Sequence, residues 1–166
     1  MAIVDALLPE FDHEMATTRT LLAAVPDARA SWQPHAKSMS LGRLAAHIGN
    51  MPNWVLLTLQ QDELDLGVGD ATGQAPFTST AESLARFDAL VKSSRAVLAE
   101  TPDAVMQTLW TLRSGNHAIF SMPRGAVLRT WTMNHMIHHR GQLSVYLRLL
   151  DVPVPSMYGP TADSAP

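Results

Sequence analysis

The sequence predicts an all-α protein, a four-helix bundle with a long connection between helices 2 and 3 and an irregular insert before helix 4. Three observations carry this. Four stretches repeat apolar residues every three or four positions, the period of a helix with one buried face. Caps and prolines punctuate them. Helices of this length gain little alone in water, so their apolar stripes must be buried against one another.

The first stripe is Val4, Leu8, Phe11, Met15, Thr18, Leu22 and Val25. Pro9 lies inside it, which predicts a bent or separate first turn, and Pro26-Asp27 closes it. ASWQPHAKSMS (30–40) reads as a loop whose last residue, Ser40, caps the second helix. That helix should run over 41–62 and kink at Pro52, just after His47. LDLGVGDATGQAPFTS (64–79) is long for a link inside a compact domain and reads as a crossover or a lid. Ser79 and Glu82 make a capping box for a third stripe, Leu84, Phe87, Val91, Ser94 and Leu98, which Pro102 stops. TLWTLR and HAIFSM flank Ser114-Gly115-Asn116, a turn signal, so the insert over 103–122 reads as irregular or hairpin-like. The last helix should span 123–150, followed by a Pro-rich tail that packs as an extended strap. Without repeats or a linker, residues 1–166 read as a single domain.

Composition narrows the function. A net charge of -3 gives no general electrostatic reason to bind nucleic acid. No apolar run approaches the roughly 20 residues that span a bilayer, and the N-terminus has no basic region of a signal peptide. A cytoplasmic location, with no membrane partner, is the expectation. The absence of cysteine excludes disulfides and thiolate metal sites, so a transition metal here needs His with Asp, Glu or water.

NHMIHHRGQLSVYLRLL (134–150) puts three of the seven histidines within five positions. At about 100° per residue, His139 lies about 40° from His135, whereas His138 lies about 60° to the other side. His135 and His139 can therefore address one atom, and His138 flanks them. Leu128, Trp131, Gln142 and Tyr146 share the face of the pair. The pair reads either as two metal ligands or as a polar turn. Met136 after His135 excludes the protease motif, which needs Glu there. His47, in LGRLAAHIGN near Leu44, Met51 and Trp54, reads either as a further ligand or as a buried His with one hydrogen bond. His35 and His117 fall in loops, and His13 beside Glu14 reads as exposed.

NHMIHHRGQLSVYLR followed by DVPVPSMYGP, with SMSLGRLAAHIGNMPNW and the preceding SWQP, resembles the DinB family, also described as DinB/YfiT-like metalloenzymes. The resemblance covers essentially the whole chain. It implies a four-helix bundle holding a divalent metal on one His of the second helix and two of the last, here His47, His135 and His139. It also implies a homodimer, and a metal-dependent transferase or isomerase using a small thiol. Such a three-His site leaves positions for water or substrate, the open arrangement of catalytic sites. Imidazoles without thiolate suit Zn²⁺ or Ni²⁺ first, then Fe²⁺ or Mn²⁺. An open divalent ion activates either water, giving hydrolysis, or a bound thiol, giving group transfer.

The function read from the sequence is thus a metal-dependent thiol-cosubstrate transferase or hydrolase acting on a small organic substrate. The alternative is a non-catalytic bundle in which the metal anchors a small ligand. No side-chain nucleophile or general base stands out. Asn50, Trp54, Trp131, Gln142 and Tyr146 are candidate pocket residues, with core packing the simpler account of each Trp. Arg140 is read as a structural ion-pair partner.

Overall fold

The computed structural model describes residues 2–164. Met1, Ala165 and Pro166, the ends of the single domain expected over 1–166, lie outside the described residues. Helix α1 spans Ile3–Ala23 without interruption, so Pro9 does not separate its first turn. Pro9 is the seventh residue of the helix, so it removes the one amide that would donate to the Asp5 carbonyl, and the helix continues through that gap. Ser40 accepts from the Arg43 amide and starts α2, Leu41–Asn50. Pro52 does more than kink the expected helix: the run breaks, and α3 covers Asn53–Gln60. The Pro52 carbonyl is held there by the buried Ser94 hydroxyl at 2.6 Å.

The long connection contains a strand, β1 (Glu63–Asp65), before α4 (Thr80–Glu100). Ser79 caps α4 by accepting from the Glu82 amide, but the Glu82 carboxylate turns to the Thr78 hydroxyl. A short α5 (Asp103–Met106) leads into β2 (Leu109–Ser114) and β3 (His117–Pro123). The hairpin-like reading of the insert holds, and Gly115, at φ +57°, takes the left-handed turn position. His117 starts β3 rather than lying in a loop.

The chain is therefore not an all-α four-helix bundle. It is mostly helical with a three-stranded mixed sheet ordered β1-β2-β3. β1 pairs parallel with β2, matching Leu64 to Leu112, and β2 pairs antiparallel with β3. The physical reason lies in the side-chain period. In LWTLRS, Trp110 and Leu112 are buried while their neighbours face outward, an alternation only a strand satisfies. Three-residue β1 has no such local signal; β2 makes it a strand.

α6 (Arg124–Val127) runs into a wide π-helical turn over Leu128–Asn134 and then into α7 (His135–Leu149). The single helix expected over 123–150 thus contains a change of pitch directly before the first His. Arg124, buried at the hairpin's end, donates to the Gln61 carbonyl and pairs with Asp62, locking the sheet to the end of α3. Helices α1, α2, α3, α4 and α7 share one core that includes Phe11, Leu22, Leu44, Ile48, Phe87 and Leu143. Among the described residues, no helix is long and apolar enough to cross a membrane.

The tail packs as a strap. Val154 is buried, and its amide donates to Asp163, which pairs with Arg148. Tyr158 lies over the Arg140 guanidinium, 5.0 Å from its ring centre, and donates its hydroxyl to Glu14. Glu14 and Arg140 form a buried ion pair. The structural role expected of Arg140 is thereby observed.

Candidate metal centre

Two helices deliver the three histidines. α2 presents His47, and α7 presents His135 and His139 one turn apart. Packing of α2 on α7 brings the rings together: His47 lies 4.6 Å from His139 and 5.3 Å from His135, centre to centre. One nitrogen from each ring lies within 4.8 Å of the others. The Nε2 atoms of His135 and His139 are 2.8 Å apart.

Two glutamines set the tautomers. Gln142 Oε1 lies 2.8 Å from His139 Nδ1, and Gln74 Oε1 lies 3.1 Å from His47 Nδ1. An amide oxygen only accepts, so both Nδ1 atoms carry the hydrogen and both Nε2 atoms keep their lone pairs. This is the arrangement seen around metal-bound imidazoles, where the second nitrogen donates to an outer partner. His135 Nδ1 is buried and has no partner. If that nitrogen carries the hydrogen, the Nε2 lone pairs of His135 and His139 face each other at 2.8 Å, a repulsion that a cation between them relieves. If it does not, a buried acceptor stays empty. The donor set therefore fits a divalent ion.

The surroundings favour the neutral form of the two α7 rings. Burial, then the neighbouring imidazoles of His139 and His47, push His135 from 6.5 down to about 4. The Trp131 carbonyl opposes this without reaching hydrogen-bond geometry with Nδ1. Burial also lowers His139, with the Gln142 bond acting the other way. Neutral imidazole is the form that binds a metal.

The remaining candidates divide. Gln142 touches His139 and also bridges at 3.1 Å to exposed His138, which stays outside the cluster. Trp131 packs 5.4 Å from His135, with Trp54 and Phe120 behind it. Trp54 is a core residue, 5% exposed. Asn50 is buried and donates to the Thr72 carbonyl rather than facing the rings. Tyr146 packs on Trp32 and donates to the Met39 carbonyl, so it braces the 30–40 loop. His13 is exposed, as expected, but its neighbour Glu14 is not.

A model of the DinB family matches residues 2–165. The chain belongs to the DinB family. An uncharacterised protein of Bacillus subtilis strain 168, YrdA, is 27% identical over 96% of this chain and 90% of its own length. The crystal structure of a DinB-like protein from Bacillus cereus ATCC 10987 superposes with a TM-score of 0.71, at 23% identity, covering 93% of this chain and 97% of that one. A DinB-like protein of Bacillus subtilis, YjoA, superposes with a TM-score of 0.67, at 18% identity over 92% of this chain and 96% of its own. At these identities the two structures share the fold. The DinB-like chain thus carries a three-His cluster that could bind a metal ion.

Gln74 was missed by reading the sequence. A glutamine in a Gly-rich loop, 27 positions from His47, carries no local signal. Glu14 did carry one: it stands three residues after Phe11 and four before Thr18, on the apolar stripe itself.

Proposed function

We propose that this DinB-family protein is a metal-dependent enzyme that transfers a group between a small organic substrate and a small-molecule thiol, or else hydrolyses such a substrate. His47, His135 and His139 hold the ion, Zn²⁺ or Ni²⁺ before Fe²⁺ or Mn²⁺. The observation that carries the reading is the convergence of three imidazoles, two of them with Nδ1 bound to a glutamine oxygen. Three imidazole donors, with no fourth protein ligand in the cluster among the described residues, are the pattern of an open site. When bound, the ion supplies a Lewis acid. The chain's own groups do the rest: Gln74 and Gln142 fix the rings, and the Trp131–Trp54–Phe120 wall excludes water on the His135 side. The thiol and the homodimeric assembly follow from the family resemblance.

The test is a thiol-transfer and hydrolysis screen on untagged protein loaded with Zn²⁺ or Ni²⁺, beside the metal-free protein and His139→Ala. Metal-dependent turnover lost in His139→Ala is expected. A ligand that raises the melting temperature and is recovered unchanged would point instead to a binding module. Light scattering checks the dimer.

A further inference from the structure

Two glutamines support the cluster, and they differ in what else they hold. Gln142 sits one turn from His139 on the same helix. Gln74 comes from the connection between β1 and α4, which has no regular structure over residues 66–79. That connection is gripped at three consecutive residues. The Asn50 and Asn53 amides both donate to the Thr72 carbonyl, at 3.0 and 2.9 Å. Arg86 donates to the Gly73 carbonyl. Gln74 then accepts from His47. Gly73, at φ +61°, supplies the reversal that lets Thr72 face the asparagines and Gln74 face the ring. The same segment walls two clefts, one of about 270 Å³ against α2 and α4 and one of about 280 Å³ against α2 and the 30–40 loop. Ala46 and Pro76 line both, Gln74 lines the second, and none of the three histidines lines either.

We infer that Gln74 is a positioning residue that couples metal at His47 to the order of the 66–79 connection. The inference rests on the metal reading above. A cation on Nε2 draws electron density from the ring, so the Nδ1 hydrogen becomes a stronger donor to Gln74. A stronger bond holds the connection more tightly. Linkage makes the effect reciprocal: a connection already gripped by Asn50, Asn53 and Arg86 presents Gln74 preorganised and raises metal affinity by the same factor. The metal thereby shapes the wall of clefts it does not touch. Gln142 does none of this, because it belongs to the helix it supports.

The test uses the full chain, Zn²⁺ as the probe, and two readouts: zinc affinity by chelator competition, and hydrogen–deuterium exchange of peptides covering 66–79. In the wild type, zinc slows exchange of the connection. Gln74→Leu weakens zinc about ten-fold or more and abolishes the slowing at saturating zinc. Gln74→Glu, which keeps an acceptor oxygen, restores both. Gln142→Leu weakens zinc, yet the saturated protein still shows the slowing. Wild-type affinity in Gln74→Leu, or equal slowing in that variant, overturns the coupling while leaving the metal site standing. A wild type that binds no zinc overturns both.

Discussion

Two polar clusters meet on α7 at adjacent residues, and they are finished differently. Arg140 reaches toward α1, where it meets the Glu14 carboxylate, the Glu14 carbonyl, the Thr18 hydroxyl and the Tyr158 hydroxyl. No buried polar atom of Glu14, Thr18, Arg140 or Tyr158 lacks a partner. His139 reaches toward α2, where the rings of His47, His135 and His139 converge and the buried His135 Nδ1 is an orphan. The closed cluster ties α1, α7 and the tail together. The open one has unspent valence, which is what a ligand site needs.

Breaking the closed cluster should give the largest loss of stability. Arg140→Leu leaves the Glu14 charge buried and uncompensated, so a cost of about 3–5 kcal/mol is expected in urea unfolding. The double variant Glu14→Leu/Arg140→Leu should cost less than either single change, because no lone charge remains. A double variant as damaged as the sum of the singles would contradict this. Next comes Tyr158→Phe, which removes a hydrogen bond to a charged group and should cost about 1.5–3 kcal/mol.

The open cluster makes stability depend on pH. Folded His135 titrates at about 4 against 6.5 unfolded. Between these values the unfolded chain binds a proton that the folded chain does not. Stability of the metal-free protein should therefore fall as pH drops from 6.5 toward 4 and level off below. The slope should be shallower in His135→Asn; an identical slope would remove His135 from the account. Zinc affinity should decline on acidification, since protons compete for the same nitrogens.

The smallest effect is expected beside the site. The Trp131 Nε1 is buried without an acceptor, whereas Trp110 Nε1 donates to the Leu57 carbonyl at 3.2 Å. Trp131→Phe removes an orphan donor and should cost under about 1 kcal/mol. Trp110→Phe strands a carbonyl and should cost more, and a reversed order would count against the hydrogen-bond assignment.

Much of the architecture was legible because it is written in local signals. The stripes of α1 and α4, the Ser40 cap and the Ser114-Gly115-Asn116 turn need only neighbouring residues. The His135–His139 pair follows from helical spacing, and His47 joined it through the family resemblance. What stayed hidden depends on distant partners. β1 is a strand because β2 lies beside it, and the π-turn before His135 has no pattern of its own in LRTWTMN. Gln74 matters only because the connection folds back on α2.

The central claim is that His47, His135 and His139 form a metal centre. Elemental analysis of untagged protein after equilibration with Zn²⁺ tests it most directly, comparing wild type, His47→Ala and His13→Ala. The account predicts stoichiometric zinc in the wild type and in His13→Ala, and its loss in His47→Ala. Equal metal content in the two variants, or none in the wild type, would contradict it.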